Sequence, residues 1–293
     1  MHLFEKFVLT VLALIAFAGN SVLCRWALAE YQLDPATFTL LRLVSGALTL
    51  AVILWLSQRR QQPAQTRAGQ QHPVSWWGAL WLVCYAAAFA YAYVELATGI
   101  GALVLFSAVQ FSMLLISAVR GERFSLLQIL GIATALIGFC YLVWPQWSQP
   151  VSLTALMMML LAGAAWGAYS TIGRGSRTPL ADTLIHFRRA SMLALPLLFW
   201  VNWQVQPAYE AVMLALMSGA LTSAVGYAIW FKVLPQLQVT SAAVGQLSVP
   251  IIAAIGGIIF VGEPLEQRFV IASSVILVSI FVVTRSRINK NKT

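Results

Sequence analysis

The sequence predicts an all-α polytopic membrane protein, and three observations lead to that fold class. Hydrophobic residues make up 60% of the 293 residues and charged residues only 9%, against roughly 25% charged in an average soluble domain. The apolar residues form continuous runs, such as Leu153–Ala165 and Ile251–Val261, and do not alternate with polar ones as in a transmembrane β-barrel. Ten runs reach the length that a membrane-spanning helix needs, about 20 residues. Together these observations exclude a soluble enzyme, a secreted disulfide scaffold and a disordered protein.

The ten predicted spans follow one another closely and are separated by short polar connections. In chain order they cover residues 7–28, 35–57, 74–96, 99–119, 125–144, 151–173, 181–201, 211–231, 239–261 and 267–284. The longest connection, Gln58–Pro73, is polar and contains proline and glycine, as is typical of a loop. The first run continues past an Ala-Phe-Ala sequence that resembles a cleavage site, so we expect a retained span and not a signal peptide.

The distribution of basic residues predicts the orientation of the spans. With a cytoplasmic N-terminus, thirteen of the 18 Lys and Arg residues flank the spans on the cytoplasmic side, and only Arg25 and Arg268 flank them outside. Basic residues accumulate on the cytoplasmic side of membrane proteins. We therefore expect a multi-pass protein of the inner membrane with both termini in the cytoplasm. The same rule accounts for the net charge of +9, which in a soluble protein would indicate nucleic acid.

The two halves of the chain carry matching motifs in the same order. Each half holds five spans, an odd number, so the two halves cross the membrane in opposite senses. The sequence therefore predicts two inverted five-helix repeats, residues 1–146 and 147–293. The matched positions are Phe17 and Trp166, Asn20 and Tyr169, Arg25 and Arg174, Arg42 and Arg188, and "RGERF" (120–124) and "VGEPL" (261–265).

Seven segments spread over nearly the whole chain carry a family resemblance. They are "FAGNSVLCR", "LLRLVSGALTL", "GALVLFSAVQFSMLL", "GERFSLLQILGIATALIGFCYLVWP", "AGAAWGAYSTIGR", "SGALTSAVGYAIW" and "AAVGQLSVPIIAAIGGIIFVGEPL". Together they resemble the EamA branch of the drug/metabolite transporter superfamily. The resemblance implies ten helices in two inverted repeats and export of amino acids or other small metabolites. The chain departs from the family pattern at Phe17, where Trp is common, and at Val109, since the proline expected there is kept only in the second half as Pro250.

Gly121-Glu122 and Gly262-Glu263 end the fourth and ninth predicted spans. Glycine readily adopts the left-handed conformation that closes a helix. The glutamate is then expected near the positive N-terminus of the helix that follows. These motifs predict tight connections between helices and not a substrate site.

Two arginines lie at matching depths within predicted spans. Arg42 and Arg188 are each seven residues into a span, about 10 Å from its start. An arginine at the centre of a span costs roughly 3 kcal/mol unless it faces a polar cavity or reaches the interface. Their match in the repeat favours a shared role in substrate binding at the two mouths of one pathway, with snorkelling to the interface as the alternative. For Arg25 and Arg189 we expect snorkelling.

Glu95 is the acidic residue that lies well within a predicted span, near the outer end of the third. It is the candidate for coupling transport to protons, and pairing with Arg42 or Arg25 is the alternative. His186 lies one turn from Asp182 and could relay protons, although we expect a structural role for it.

Further polar and aromatic residues within the spans could line a binding site. A few convergent polar groups in an apolar wall are typical of a small-molecule site, and helix packing through polar side chains is the alternative. We expect Asn20 and Tyr169 to lie near each other close to the midplane. Together with Arg42 and Arg188, the candidate substrate-binding residues are Asn20, Tyr91, Gln110, Trp166, Tyr169, Tyr227 and Gln246.

No pattern of a reaction centre occurs in the sequence. It contains no HExxH, GxSxG or P-loop pattern and no Cys/His cluster. The three cysteines, Cys24, Cys84 and Cys140, lie in apolar runs and are predicted to be packing residues. We therefore expect no catalytic residue, no metal and no cofactor.

These observations predict a secondary transporter that exports a small metabolite, such as an amino acid or organic acid, by alternating access. A drug or cation efflux transporter is the main alternative, followed by a non-transporting accessory protein and a membrane-embedded lipid enzyme. The excess of arginine over acidic residues within the spans favours an anionic or zwitterionic substrate. The expected partners are this small molecule and the lipid bilayer, without nucleic acid, and the sequence is compatible with a homodimer.

Overall fold

A computed structural model describes residues 3–60, 74–119, 126–143, 152–237 and 245–290 of the chain. Within these ranges all regular secondary structure is helical, which confirms the predicted all-α class. Most of the predicted 58–73 loop and the Gly121-Glu122 motif lie outside the described residues.

The helices lie within or close to the predicted spans. A π-helical segment, Ser218–Val225, lies within the region Tyr209–Gln236, which forms one continuous helical rod. The helices are α1 (Leu3–Arg25, continued by a π-helical turn at Trp26–Glu30), α2 (Pro35–Arg60), α3 (Trp76–Tyr93), α4 (Thr98–Val119), α5 (Leu126–Val143), α6 (Leu153–Arg174), α7 (Pro179–Leu193), α8 (Tyr209–Met217), α9 (Gly226–Val233), α10 (Val249–Gly256, continued by a π-helical turn at Gly257–Val261) and α11 (Gln267–Lys290).

Four of the described helices are long and apolar enough to cross a membrane. They are Phe4–Glu30, Pro35–Arg59, Leu153–Arg174 and Tyr209–Gln236. Shorter apolar helices cover Thr98–Ser112, Leu126–Leu142, Val249–Val261 and Gln267–Val282. The surface carries many exposed apolar side chains, such as Leu126, Ile129 and Ile137 along α5, as expected for helices in contact with lipid. The chain is therefore a multi-pass membrane protein.

The seventh predicted span ends differently from the prediction. The sequence indicates one helix over 181–201, but α7 stops at Leu193 and a 3-10 segment follows at Leu195–Trp200. Pro196 explains the change, because proline has no N–H to donate and its ring clashes with the carbonyl group four residues before it.

The π-helical segment Ser218–Val225 packs along α2. Their close approach depends on Gly219, where a Cβ atom would overlap the carbonyl oxygen of Arg42 and the hydroxyl of Ser45. In addition, α3 and α4 pack along α6, and α1 packs along α9 and α10. These contacts bring α1, α2, α3, α6 and the Tyr209–Gln236 rod around one centre.

Candidate functional site

Arg42 of α2 lies at the centre of this helix assembly. Its side chain is fully buried, with only 1% exposed. The Nε atom donates to Ser223 Oγ (3.0 Å), and Nη2 donates to the hydroxyls of Tyr85 (3.0 Å) and Tyr227 (3.1 Å). The guanidinium carbon also lies 4.9 Å from the ring centre of Tyr85 and 5.0 Å from that of Phe89, within the range of a cation–π interaction. Arg42 therefore does not snorkel but is held in the core.

Asn20 of α1 extends the polar network through Tyr85. Its Nδ2 atom donates to the Tyr85 hydroxyl (3.2 Å), while its Oδ1 atom accepts from Ser218 Oγ (2.7 Å) and Thr222 Oγ1 (3.2 Å). Together with Ser223, which bonds Arg42, these hydroxyls come from the π-helical segment. π-Helical turns are frequent at functional sites, and this one supplies three polar side chains to the network.

Aromatic side chains form a wall beside the network. Trp166 of α6 is buried, and its ring centre lies 5.0 Å from Tyr85, 4.7 Å from Tyr227 and 5.8 Å from Phe17. Tyr169, one turn further along α6, lies 5.6 Å from Trp166. The arrangement is a small set of polar groups set into an aromatic wall, as in sites that bind amphipathic small molecules.

Arg42 retains unused hydrogen-bond donors. A guanidinium group carries five N–H donors, and the Nη1 atom of Arg42 is buried without a hydrogen-bond partner. The ion pairs among the described residues are Arg25–Glu263 and Lys232–Glu5, so no carboxylate in that part of the chain neutralises Arg42. A buried charge without a counter-ion is costly. The centre is therefore suited to bind an anionic group.

A cavity of about 1140 Å³ opens at the end of the molecule where α6 ends and α7 begins. Its wall includes the C-terminal end of α6, the N-terminal half of α7, Ser75 just before α3 and Phe231 of α9. Tyr169 lines this cavity and also contacts Trp166. The ring of Tyr169 therefore contacts the cavity on one side and the aromatic wall of the central network on the other.

The cavity wall also carries polar groups of α7. Asp182 accepts hydrogen bonds from Ser176 Oγ (2.5 Å) and Thr178 Oγ1 (2.9 Å), which fixes the start of the helix. His186 is buried with its ring 5.6 Å from that of Tyr169. Arg189 stacks on Trp76 and donates to the carbonyl group of Val74. Among the described residues, no three His, Cys, Asp or Glu side chains are arranged to hold a metal ion.

The structure brings together five of the residues singled out in the sequence. Asn20, Arg42, Trp166, Tyr169 and Tyr227 lie in or beside the central network. Gln110 of α4 and Gln246, three residues before α10, are buried but take no part in the hydrogen bonds described above, and Tyr91 is half-buried in α3. The coupling candidate Glu95 is exposed in the turn after α3.

Arg188 and Arg42 occupy different environments despite their match in the repeat. The buried residues of α7 are Thr183, His186, Phe187 and Ala190, which lie on one face of the helix. Arg188 lies on the other face and is exposed. The sequence predicts that the two arginines act at the two mouths of one pathway, but of the two only Arg42 lies in the core.

The sequence did not single out Tyr85, Ser218, Thr222 and Ser223, although all four belong to the network. Tyr85 and Phe89 are four residues apart on α3, as are Ser218 and Thr222 on the rod. Side chains at that spacing share a helix face. An aromatic or hydroxyl pair at this spacing inside an apolar span is the sequence pattern that indicates such a shared polar or aromatic face.

Arg25 and Glu263 form a second cluster, which we call the Arg25–Glu263 clamp. Arg25 Nε contacts Glu263 Oε1 (3.2 Å), and Nη1 donates to the carbonyl groups of Tyr93 (3.0 Å) and Val94 (2.7 Å). Both carboxylate oxygens of Glu263 accept from the backbone N–H of Thr98 (3.0 and 2.8 Å). The clamp comprises Arg25, Glu263, these two carbonyl groups and the Thr98 N–H.

The clamp corrects two expectations from the sequence. Gly262 does adopt the left-handed conformation (φ 70°) that ends a helix. However, Glu263 binds the N-terminus of α4, which precedes it in sequence, and not that of the following helix. Arg25 does not snorkel, because it is paired with a carboxylate 238 residues away.

Comparisons with known proteins identify relatives over most of the chain. A family model described as "EamA-like transporter family" matches residues 6–144 and again residues 153–285. An uncharacterized protein of Pseudomonas aeruginosa is 45% identical over 282 residues, which cover 96% of this chain and 95% of that protein. The uncharacterized transporter YwfM of Bacillus subtilis is 24% identical over 265 residues, 88% of this chain and 87% of that protein.

One solved structure has a similar fold. A chain described only as "Crystal structure of protein" superposes with a TM-score of 0.64 and covers 94% of this chain and 97% of its own length. Its sequence identity is 16%, so the similarity is one of fold alone.

Proposed function

This chain belongs to the EamA-like transporter family, and on that premise we propose that it is a secondary transporter that exports a small metabolite by alternating access. The family consists of transporters, so the chain is a membrane transporter and not an enzyme. We assign it to the inner membrane, with an amino acid or organic acid as its substrate.

We propose ten spans arranged as two inverted repeats, residues 1–146 and 147–293. One family model matches each half. If the halves are related by a two-fold axis, exchanging them should map each helix contact onto another observed contact, and the packing agrees with this expectation. The packing of α3 on α6 corresponds to that of the Tyr209–Gln236 rod on α1, and the packing of α4 on α6 to that of α10 on α1. The pairs α2–α7, α4–α10 and α5–α11 each join equivalent helices of the two halves, so the exchange leaves these contacts unchanged. Such pairing supports a two-fold relation between the halves.

We propose that both termini and the 1140 Å³ cavity face the cytoplasm. Arg174 and Arg177 lie beside the cavity, whereas acidic Glu263 belongs to the clamp and Glu266 follows it by three residues. Basic residues favour the cytoplasmic side. The cavity then admits substrate from the cytoplasm, and the clamp closes the outer end.

The observation that carries the substrate class is the unpartnered Nη1 of buried Arg42. A carboxylate bound there accepts charge-assisted hydrogen bonds from the free N–H groups of Arg42. It can also accept hydrogen bonds from the hydroxyls of the neighbouring tyrosines. The apolar part of the substrate would pack on Trp166 and Tyr169. Aromatic rings also suit organic cations, but Arg42 already covers Tyr85 and Phe89 and repels a second cation.

Transport by purified protein in proteoliposomes tests this proposal. Arg42→Gln should reduce uptake of amino acids and small carboxylates about 100-fold, because it removes the protein's charge from the buried pair that Arg42 forms with the substrate carboxylate. Arg188→Gln is the matched control, because that arginine is exposed on α7, and it should retain the wild-type rate. Preferred transport of a lipophilic cation, without competition by carboxylates, would support drug efflux instead. Absence of any flux would support an accessory role.

A further inference from the structure

The Arg25–Glu263 clamp lies at the opposite end of the molecule from the cavity. Ser75, directly before α3, lines the cavity, and the carbonyl groups of Tyr93 and Val94, at the end of α3, belong to the clamp. The 18 residues of α3 extend about 27 Å. Tyr85, near the middle of α3, contacts Arg42. The three features are therefore stacked along one helix in the order cavity, central network, clamp.

The clamp joins three segments that are distant in sequence. They are the end of α1, the turn from α3 to α4 and the segment after α10. The side chains of Arg25 and Glu263 are only 18% and 13% exposed, so their attraction is less screened than that of a surface pair. Both oxygens of the Glu263 carboxylate have hydrogen-bond partners, because the Thr98 N–H contacts both and Arg25 contacts Oε1.

Apolar packing fills the space between the clamp and the central network. Tyr93 is fully buried, its hydroxyl donates to the carbonyl group of Thr98 (3.3 Å), and its ring lies 4.7 Å from Phe89. Phe89 in turn contacts the Arg42 guanidinium. A molecule bound at Arg42 cannot leave toward this end until the end of α1 and the α3–α4 turn separate from the segment after α10.

We propose that the Arg25–Glu263 clamp is the outer gate of the transport pathway, closed in this conformation and broken when the site opens outward. This inference rests on the proposed function for its orientation and its pathway. In the closed state the ion pair and its backbone bonds hold the three segments together. In the outward-open state Arg25 and Glu263 separate and each is solvated, so the pair sets the equilibrium between the two states.

Cys24 provides a reporter for the state of the gate. It is fully buried and lies within electrostatic range of both Arg25 and Arg42. In a background with Cys84→Ser and Cys140→Ser, Cys24 is the single thiol of the chain. A membrane-impermeant maleimide is applied to spheroplasts and to inside-out vesicles. Outer labelling measures the population of the outward-open state without any substrate, so it remains informative if the carboxylate proposal is wrong.

Glu263→Gln and Arg25→Gln should each increase the rate of outer Cys24 labelling about tenfold, the shift expected for loss of one charge-assisted hydrogen bond. The matched controls are Glu266→Gln, three residues away and exposed, and Arg268→Gln, whose arginine donates to the carbonyl group of Tyr141. Both controls should label at the wild-type rate. Equal labelling of the four variants and the wild type would overturn the proposal.

A second variant keeps the test valid if the glutamine substitutions unfold the protein. Arg25→Cys combined with Glu263→Cys, in a chain without native cysteines, can be closed by a short bis-methanethiosulfonate cross-linker. Cross-linking should abolish transport, and a reducing agent should restore it. Transport at the unlinked rate by fully cross-linked protein would show that the clamp is only a structural brace.

Discussion

The hydroxyl of Tyr85 accepts hydrogen bonds from both Arg42 and Asn20, so two helices lose a polar contact if it is removed. We expect Tyr85→Phe to raise the KM for a carboxylate substrate about tenfold, because unpaired buried donors cost roughly 1–3 kcal/mol. Transport kinetics measure the change. Tyr209→Phe, at an exposed tyrosine, should leave KM unchanged, and an unchanged KM in Tyr85→Phe would contradict the role of the network.

The residues that the sequence could identify are those whose presence in a span is itself costly. Arg42 and Asn20 are conspicuous in apolar runs, because a buried charge or amide needs partners. Ser223 and Thr222 carry no such signal, since a hydroxyl in a helix can bond the preceding turn, as Thr222 does with the carbonyl group of Ser218 (2.8 Å). Arg188 had the same predicted depth as Arg42, but depth does not specify which face of α7 is buried.

Among the secondary-structure elements, the π-helical segment Ser218–Val225 depends on one small residue for its approach to α2. A Cβ at Gly219 would overlap the Arg42 carbonyl oxygen and Ser45. We therefore expect Gly219→Ala to destabilise the protein by about 1–3 kcal/mol, as overpacking of a tight core does. The midpoint of thermal unfolding in detergent measures this loss.

Gly175→Ala is the control for that substitution. A Cβ there would meet only the carbonyl oxygen of Ile172, at an ordinary contact distance of 3.6 Å. Its unfolding midpoint should equal that of the wild type. Equal midpoints for Gly219→Ala and Gly175→Ala would show that α2 and the rod can separate without cost.

Apolar run length was sufficient to place most helices, since a membrane helix must satisfy its own backbone and cover itself with apolar side chains. It was not sufficient for their internal detail. The π-helical segment within Tyr209–Gln236 does not interrupt the apolar run, and the change to a 3-10 segment after Leu193 has Pro196 as its sequence signal. Contacts such as Glu263 with Thr98 depend on distant segments and have no local pattern.

For the molecule as a whole, the charge asymmetry predicts that the 58–73 loop is cytoplasmic and the segment after Gly262 is external. In a chain without native cysteines, Gln65→Cys should react with an impermeant thiol reagent only in inside-out vesicles. Leu265→Cys, at an exposed leucine, should react only from outside. The reverse pattern would invert the proposed direction of both cavity and clamp.

The long-range bonds of Arg42 also have a consequence for biosynthesis. Its partners Ser223 and Tyr227 lie 181 and 185 residues further along the chain, so they leave the ribosome about 10–40 s after it. Tyr85, 43 residues after Arg42, is the hydroxyl partner that is made during that interval. Until its partners are present, an arginine in lipid weakens the insertion of α2 by roughly 3 kcal/mol. A nascent chain that stops before Ser223 keeps this defect permanently. We expect such truncated chains to be degraded by membrane proteases faster than the complete protein.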